Sequence, residues 1–151
     1  MGRFLILAAA MLIGGCASAP KAHEFEKSFP YARTYDDVWA AVIETFAELN
    51  LPIANVEKDS GIITTDWLDM EGSDAFYDCG GHGIFTVEST QGKFNVFVKR
   101  NAETTGASVL VNTSFRQLRS FGSDQSWTQC TSTGSLENKI NGKISKKLIA
   151  P

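Results

Sequence analysis

The stretch TYDDVWAAVIETFAELNLP, Thr34 to Pro52, decides the fold. Thr34 is a good helix cap, and Asp37 three residues later resembles a capping box with aspartate in place of glutamate. Asp36 and Asp37 also sit where the positive end of a helix dipole favours carboxylates. Val38, Trp39, Val42, Ile43, Phe46 and Leu49 recur at helical spacing and form one apolar stripe. Asn50 and Pro52 then stop the helix. One stripe on one side demands a second layer to bury it, and the flanking residues supply strands.

Upstream, Glu24 to Ala32 (EFEKSFPYA) places Phe25, Phe29 and Tyr31 on one side, and Pro30 demotes it to an edge strand or a strand end. Downstream, Pro52 to Leu68 predicts two strands about Asp59-Ser60-Gly61, where glycine permits a positive φ. Residues 69–82 have no period and predict a loop pinned by Cys79. GIFTVEST and KFNVFVKR are two strand-like runs, predicted as a hairpin about Gln91-Gly92. Asn101 to Gly106 is a turn, Ala107 to Leu118 a long strand, and residues 119–131 a second loop carrying Cys130. A last helix starts near Ser132 or Thr133, with Leu136, Ile140, Ile144 and Leu148 every four residues and Lys143, Lys146 and Lys147 near its negative end. Gly142 costs this helix about 1 kcal/mol relative to alanine, so it depends on docking. The expected fold is α+β, in the order β-α-β(n)-α: an antiparallel sheet with two helices on one face.

The chain starts MGRFLILAAAMLIGGC. Arg3 precedes an apolar run that is too short for a bilayer core, which takes ~20 helical residues. A charged start, a short apolar centre and small residues form an export signal. Leu12, Ile13, Gly14 and Gly15 before Cys16 resemble the bacterial lipobox. The resemblance implies cleavage before Cys16 and acylation of its thiol, the only group covalently added in place of any cofactor. The expected organisation is a signal peptide over residues 1–15, a lipidated tether over 16–23 and one α+β domain over 24–151. Ala17 in place of an aspartate implies retention at the outer membrane, facing the periplasm. The membrane, through the lipid, and envelope proteins are the expected partners. The formal net charge is −3, and signal removal takes only Arg3, so the balance stays acidic and disfavours nucleic acid.

There are three cysteines. With Cys16 on lipid, Cys79 and Cys130 remain in an oxidising compartment and are expected to pair. Such a bond closes a loop of about 50 residues, worth about 4 kcal/mol in the chain-entropy account.

The helix YDDVWAAVIETFAEL and the hairpin VEKDSGIITTDW resemble the helix-grip, or TATA-binding-protein-like, modules of bacterial envelope lipoproteins. Among these are the modules of the C component of the outer-membrane β-barrel assembly machinery. CTSTGSLENKI is similar to the start of the last helix in such lipoproteins that carry an upstream cysteine partner. The resemblance runs over about residues 30–148 and covers one module, where the assembly component has two. It implies a non-enzymatic, periplasm-facing accessory role.

Cys79-Gly-Gly-His82 is the most chemical-looking motif. Cys79 and His82 could share a soft or borderline metal with Asp78, Cys130 or His23, making a small metal- or ligand-binding protein the alternative. A Cys–His nucleophile would need a free thiol. No G-x-S-x-G, P-loop or C-x-x-C occurs. Asp66, Asp69, Glu71, Asp74 and Asp78 crowd one loop without the EF-hand spacing, and a solvated acidic loop is the simpler reading. Of the loop aromatics, Trp67 and Phe76 are expected to pack as a satellite core. Tyr77 and Trp127 stay open as candidate interaction residues.

Overall fold

The computed structural model describes residues 17–102 and 105–149. The signal-like segment and Cys16 lie outside the described residues. Helix α1, Tyr35–Glu48, starts as its sequence predicts. Thr34 Oγ1 accepts the Asp37 N–H and donates to the Asp37 carboxylate at 2.7 Å. It ends in a Schellman motif: Asn50, at φ 52°, donates to Ala47 C=O, and Leu51 donates to Phe46 C=O.

Among the described residues, eight strands pair antiparallel throughout. They are β1 Ser28–Tyr31, β2 Ile53–Glu57, β3 Ile62–Thr65, β4 Leu68–Asp69, β5 Tyr77–Asp78, β6 Thr86–Arg100, β7 Ala107–Phe121 and β8 Asp124–Ser132. Helix α2, Ser135–Ile149, closes the order. The sheet path is β2-β3-β6-β7-β8-β5. Strand β1 pairs with the start of β7 and β8 with its end, while β3 and β4 share the outer side of β6.

Alternation along β6 and β7 builds the core. Phe94, Val96 and Val98 face the same side as Val109, Val111 and Phe115, and all six are buried. Val38, Val42 and Phe46 of α1 and Ile140 and Ile144 of α2 complete that cluster, so both helices lie on one face. The predicted four-residue stripe of the last helix is its buried side.

Three expectations are corrected. Gln91-Gly92 is no turn: β6 runs through it as one 15-residue strand. Gly92 is there for close approach, because a Cβ would meet Met70 Cγ at 2.8 Å and Phe115 Cε1 at 3.1 Å. Residues 119–131 are no loop either. Strand β7 continues to Phe121, turns at Gly122-Ser123, and returns as β8, so Cys130 sits on a strand. The loop expected over residues 69–82 also contains β4, a 3₁₀ turn at Asp74–Phe76 and β5.

The β2–β3 turn is clamped to α1. Tyr35 Oη donates to Lys58 C=O, Lys58 Nζ lies 2.8 Å from Asp36, and the Arg100 guanidinium sits 3.7 Å above the Tyr35 ring. The two stretches that carry the family resemblance therefore touch. Gly61, at φ +75°, ends the turn, and its carbonyl accepts the Val98 N–H at 2.8 Å. A Cβ there would lie 2.0 Å from the Val98 carbonyl oxygen. Gly61→Ala is expected to destabilise the protein by about 2 kcal/mol or more. Chemical denaturation measures this, and a change within experimental scatter contradicts the clamp.

Candidate functional site

Beyond Gly92 the helix-facing side of β6 and β7 turns polar. Thr90, Gln117 and Arg119 are all buried there. Gln117 Nε2 reaches Thr90 Oγ1 at 3.3 Å, and Arg119 Nε donates to Gln117 Oε1 at 2.8 Å. The same guanidinium donates to Gly81 C=O at 3.2 Å and Cys79 C=O at 2.7 Å. A buried cation thus finds its acceptors in the loop that covers it. That loop is also held covalently, by the Cys79–Cys130 disulfide across a separation of 51 residues.

Tyr77 belongs to this packing. It is 8 % exposed, and its ring centroid lies 5.4 Å from that of Phe115. Its hydroxyl donates to Asp74 Oδ1 at 2.7 Å, and burial pushes its pKa up to about 12, with Asp74 adding to the shift. Tyr77 therefore presents little of its surface outside the domain. Cys79 gives no thiolate, since its sulfur is bonded to Cys130. His82 Nδ1 lies 2.9 Å from Phe85 O, and among the described residues no three His, Cys, Asp or Glu side chains are grouped to hold a metal ion. The loop carboxylates serve the loop itself: Asp69 accepts the Glu71 N–H, Asp74 binds Tyr77, and Asp78 accepts the Gly80 N–H at 2.7 Å.

Glu137 was not signalled by periodicity. It is 1 % exposed in the first turn of α2, and its oxygens accept Thr113 Oγ1 at 2.5 Å and Ser132 Oγ at 2.9 Å. Two hydroxyl donors and the helix dipole compensate this buried group, which fixes the start of α2 to β7.

The segment expected as a tether lies along the disulfide-pinned loop. Ser18 Oγ accepts the Gly81 N–H at 2.8 Å, Thr131 Oγ1 donates to Lys21 C=O at 2.6 Å, and His23 Nε2 is 3.5 Å from Asp78.

The opposite sheet face is covered by neither helix. Arg116 projects from it, its guanidinium 3.9 Å from the Trp67 ring and 4.1 Å from the Trp127 ring. Both Nε and Nη2 donate to Gln91 Oε1, at 3.0 and 2.7 Å. Trp67 thus packs on the open face and not around the disulfide. Trp127 is 41 % exposed. A planar cation stacked between two indoles and fixed by an amide is a preorganised, amphipathic surface of the kind that anchors protein interfaces. Further along the same face, Ile62, Phe97 and Leu110 stand side by side on β3, β6 and β7.

Two measurements test this end of the molecule. Replacing Cys79 and Cys130 together with serine is expected to lower stability by up to about 4 kcal/mol, and an unchanged denaturation midpoint contradicts a structural disulfide. The Asp78 carboxyl is held below the usual carboxylate range, first by the Gly80 N–H, then by Lys21 N–H and His23. A depressed acid stabilises the fold above its unfolded pKa and ceases to do so as pH falls through its folded value. The Gly80 amide resonance is therefore expected to titrate with a midpoint below about 3.9, and a midpoint above that contradicts the contact.

A comparison with curated proteins finds no match. A comparison with protein families does: the family described as outer membrane protein assembly factor BamC-like N-terminal domain matches residues 25–138. The match spans β1, α1, the β2–β3 clamp, the long strands, the disulfide and the Glu137 contact that starts α2. Over that span the chain belongs to the BamC-like N-terminal domain family.

Proposed function

We propose that this chain is an outer-membrane-anchored periplasmic lipoprotein whose α+β domain is a non-enzymatic accessory and interaction module of the envelope. The family match carries the reading, since its description is that of an outer-membrane protein assembly factor. The lipobox-like residues Leu12 to Cys16 support the anchor, with acyl chains on the Cys16 thiol. One chain alone binds a membrane marginally, so two or more on one cysteine give lasting attachment. The open sheet face with Trp67, Arg116 and Trp127 is the surface offered to an envelope protein, and Trp127 takes the role that Tyr77, being buried, does not.

Cys16→Ser is expected to move the protein from the membrane fraction to the soluble fraction while the Cys79–Cys130 bond and the circular-dichroism spectrum persist. Continued membrane association contradicts the anchor. In native envelopes, Arg116→Ala with Trp127→Ala is expected to reduce cross-linking from Lys93, on the same face, by about tenfold or more, the loss of a central anchor being worth over 1 kcal/mol. An unchanged cross-link pattern removes this face from the proposal.

A further inference from the structure

Residues 17–23 run along the loop that precedes β6 and bring Ala17 to one end of the sheet. From Lys21, held at Asp78 and Thr131, the chain passes Gly80 and Gly81. It reaches Ala17, whose nitrogen lies 3.4 Å from the position of a Cβ on Gly83. Ile84 and Phe85 follow Gly83 directly. Ile84 is 69 % exposed, and Phe121, beside the β7–β8 turn, is 55 % exposed. Phe85 meets Phe121 edge-on at 6.0 Å between centroids. These side chains form an apolar tip at the end of the sheet remote from both helices. The turn beneath it is set by the Phe85 N–H donating to His82 C=O at 3.0 Å.

Cys16 immediately precedes Ala17 in sequence, and consecutive Cα atoms are about 3.8 Å apart, so an acyl group on that cysteine is tethered to the Ala17 end of the described chain. We propose that Ile84, Phe85 and Phe121 form a membrane-contact surface that enters the bilayer interface beside the acyl chains on Cys16. The proposal rests on the lipid-anchor reading given above. The occupant is a lipid surface because the covalently adjoining group is lipid and because exposed aromatic and aliphatic side chains partition into the headgroup boundary. The side chains that enter are apolar, and Asp124, paired opposite Phe121, stays at the headgroup level, so zwitterionic lipid suffices. The domain is then held tip-down, with the β2–β3 clamp farthest from the membrane.

Hydrogen exchange of the intact lipidated protein in phosphatidylcholine–phosphatidylethanolamine vesicles, against the soluble Cys16→Ser protein, tests this. The amides from Ile84 to Glu88 and from Phe121 to Asp124 are expected to slow by about tenfold in vesicles, while the Lys58–Gly61 turn is unchanged. Phe85→Ser with Phe121→Ser should still float with vesicles but lose that protection. Ile84→Ser, at the most exposed position of the tip, repeats the test if the double variant loses amide protection at Val96 and Val109. Lipidated protein that floats yet shows no local slowing overturns the docking alone. An intact mass without acyl groups overturns the anchor and the docking together. The same protection in soluble Cys16→Ser protein marks a contact between copies and also overturns the proposal.

Discussion

The pairing of β6 with β7 governs everything else in this structure. Each strand has 15 residues, and the register is antiparallel from Arg100–Ala107 to Thr86–Ser120. At ~3.3 Å per residue the ribbon is about 50 Å long. The two helices have 14 and 15 residues, about 22 Å each at 1.5 Å per residue. Two helices side by side therefore cover less than half of the face the long strands present. The rest needs another cover, because a sheet face with apolar and backbone groups is not left bare on the core side.

Gly92 marks the boundary between the two halves. On one side lies a conventional helix-on-sheet core of valines, phenylalanines and isoleucines. On the other, the cover is a loop too irregular to offer an apolar stripe. It is fastened by three independent means: the Cys79–Cys130 bond, the Arg119 guanidinium on two loop carbonyls, and Tyr77 packed on Phe115. The N-terminal segment is laid over this loop in turn, through Asp78 and Thr131. Residues 17–23 and the disulfide are thus parts of one device, and stapling this end leaves the opposite sheet face free for Trp67, Arg116 and Trp127.

How much of this the sequence discloses follows from which signals are local. Both helices, the Thr34 cap, the Asp59-Ser60-Gly61 turn and the pairing of Cys79 with Cys130 are legible, because periodicity, caps and cysteine parity are short-range or countable. The length of β6 and β7 is not. Gln91-Gly92 has the composition of a turn, and only the Met70 and Phe115 side chains packed against Gly92 explain the glycine within a strand. The residues RSFGSDQSWTQCT look like a loop because the strands there carry serine, glutamine and arginine on both faces. Their buried face is polar, satisfied by contacts from distant residues, so no alternation of hydrophobicity announces it. The sequence offers Tyr77 and Trp127 alike as interaction candidates and does not tell the buried one from the exposed one; Arg116 it does not signal at all, since stacking against two indoles depends on strand register.

The matching family is described as an outer-membrane protein assembly factor domain, and in this chain the rigid aromatics Trp67 and Trp127 flank Arg116 on the sheet face that neither helix covers. The whole arrangement depends on the continuity of the long β6–β7 ribbon. Cross-strand nuclear Overhauser contacts in the oxidised protein measure it directly. Contacts between Phe97 and Leu110 on one side of Gly92, and between Ser89 and Leu118 on the other, are predicted together. Turn contacts about Gln91-Gly92, with no Ser89–Leu118 contact, would contradict it.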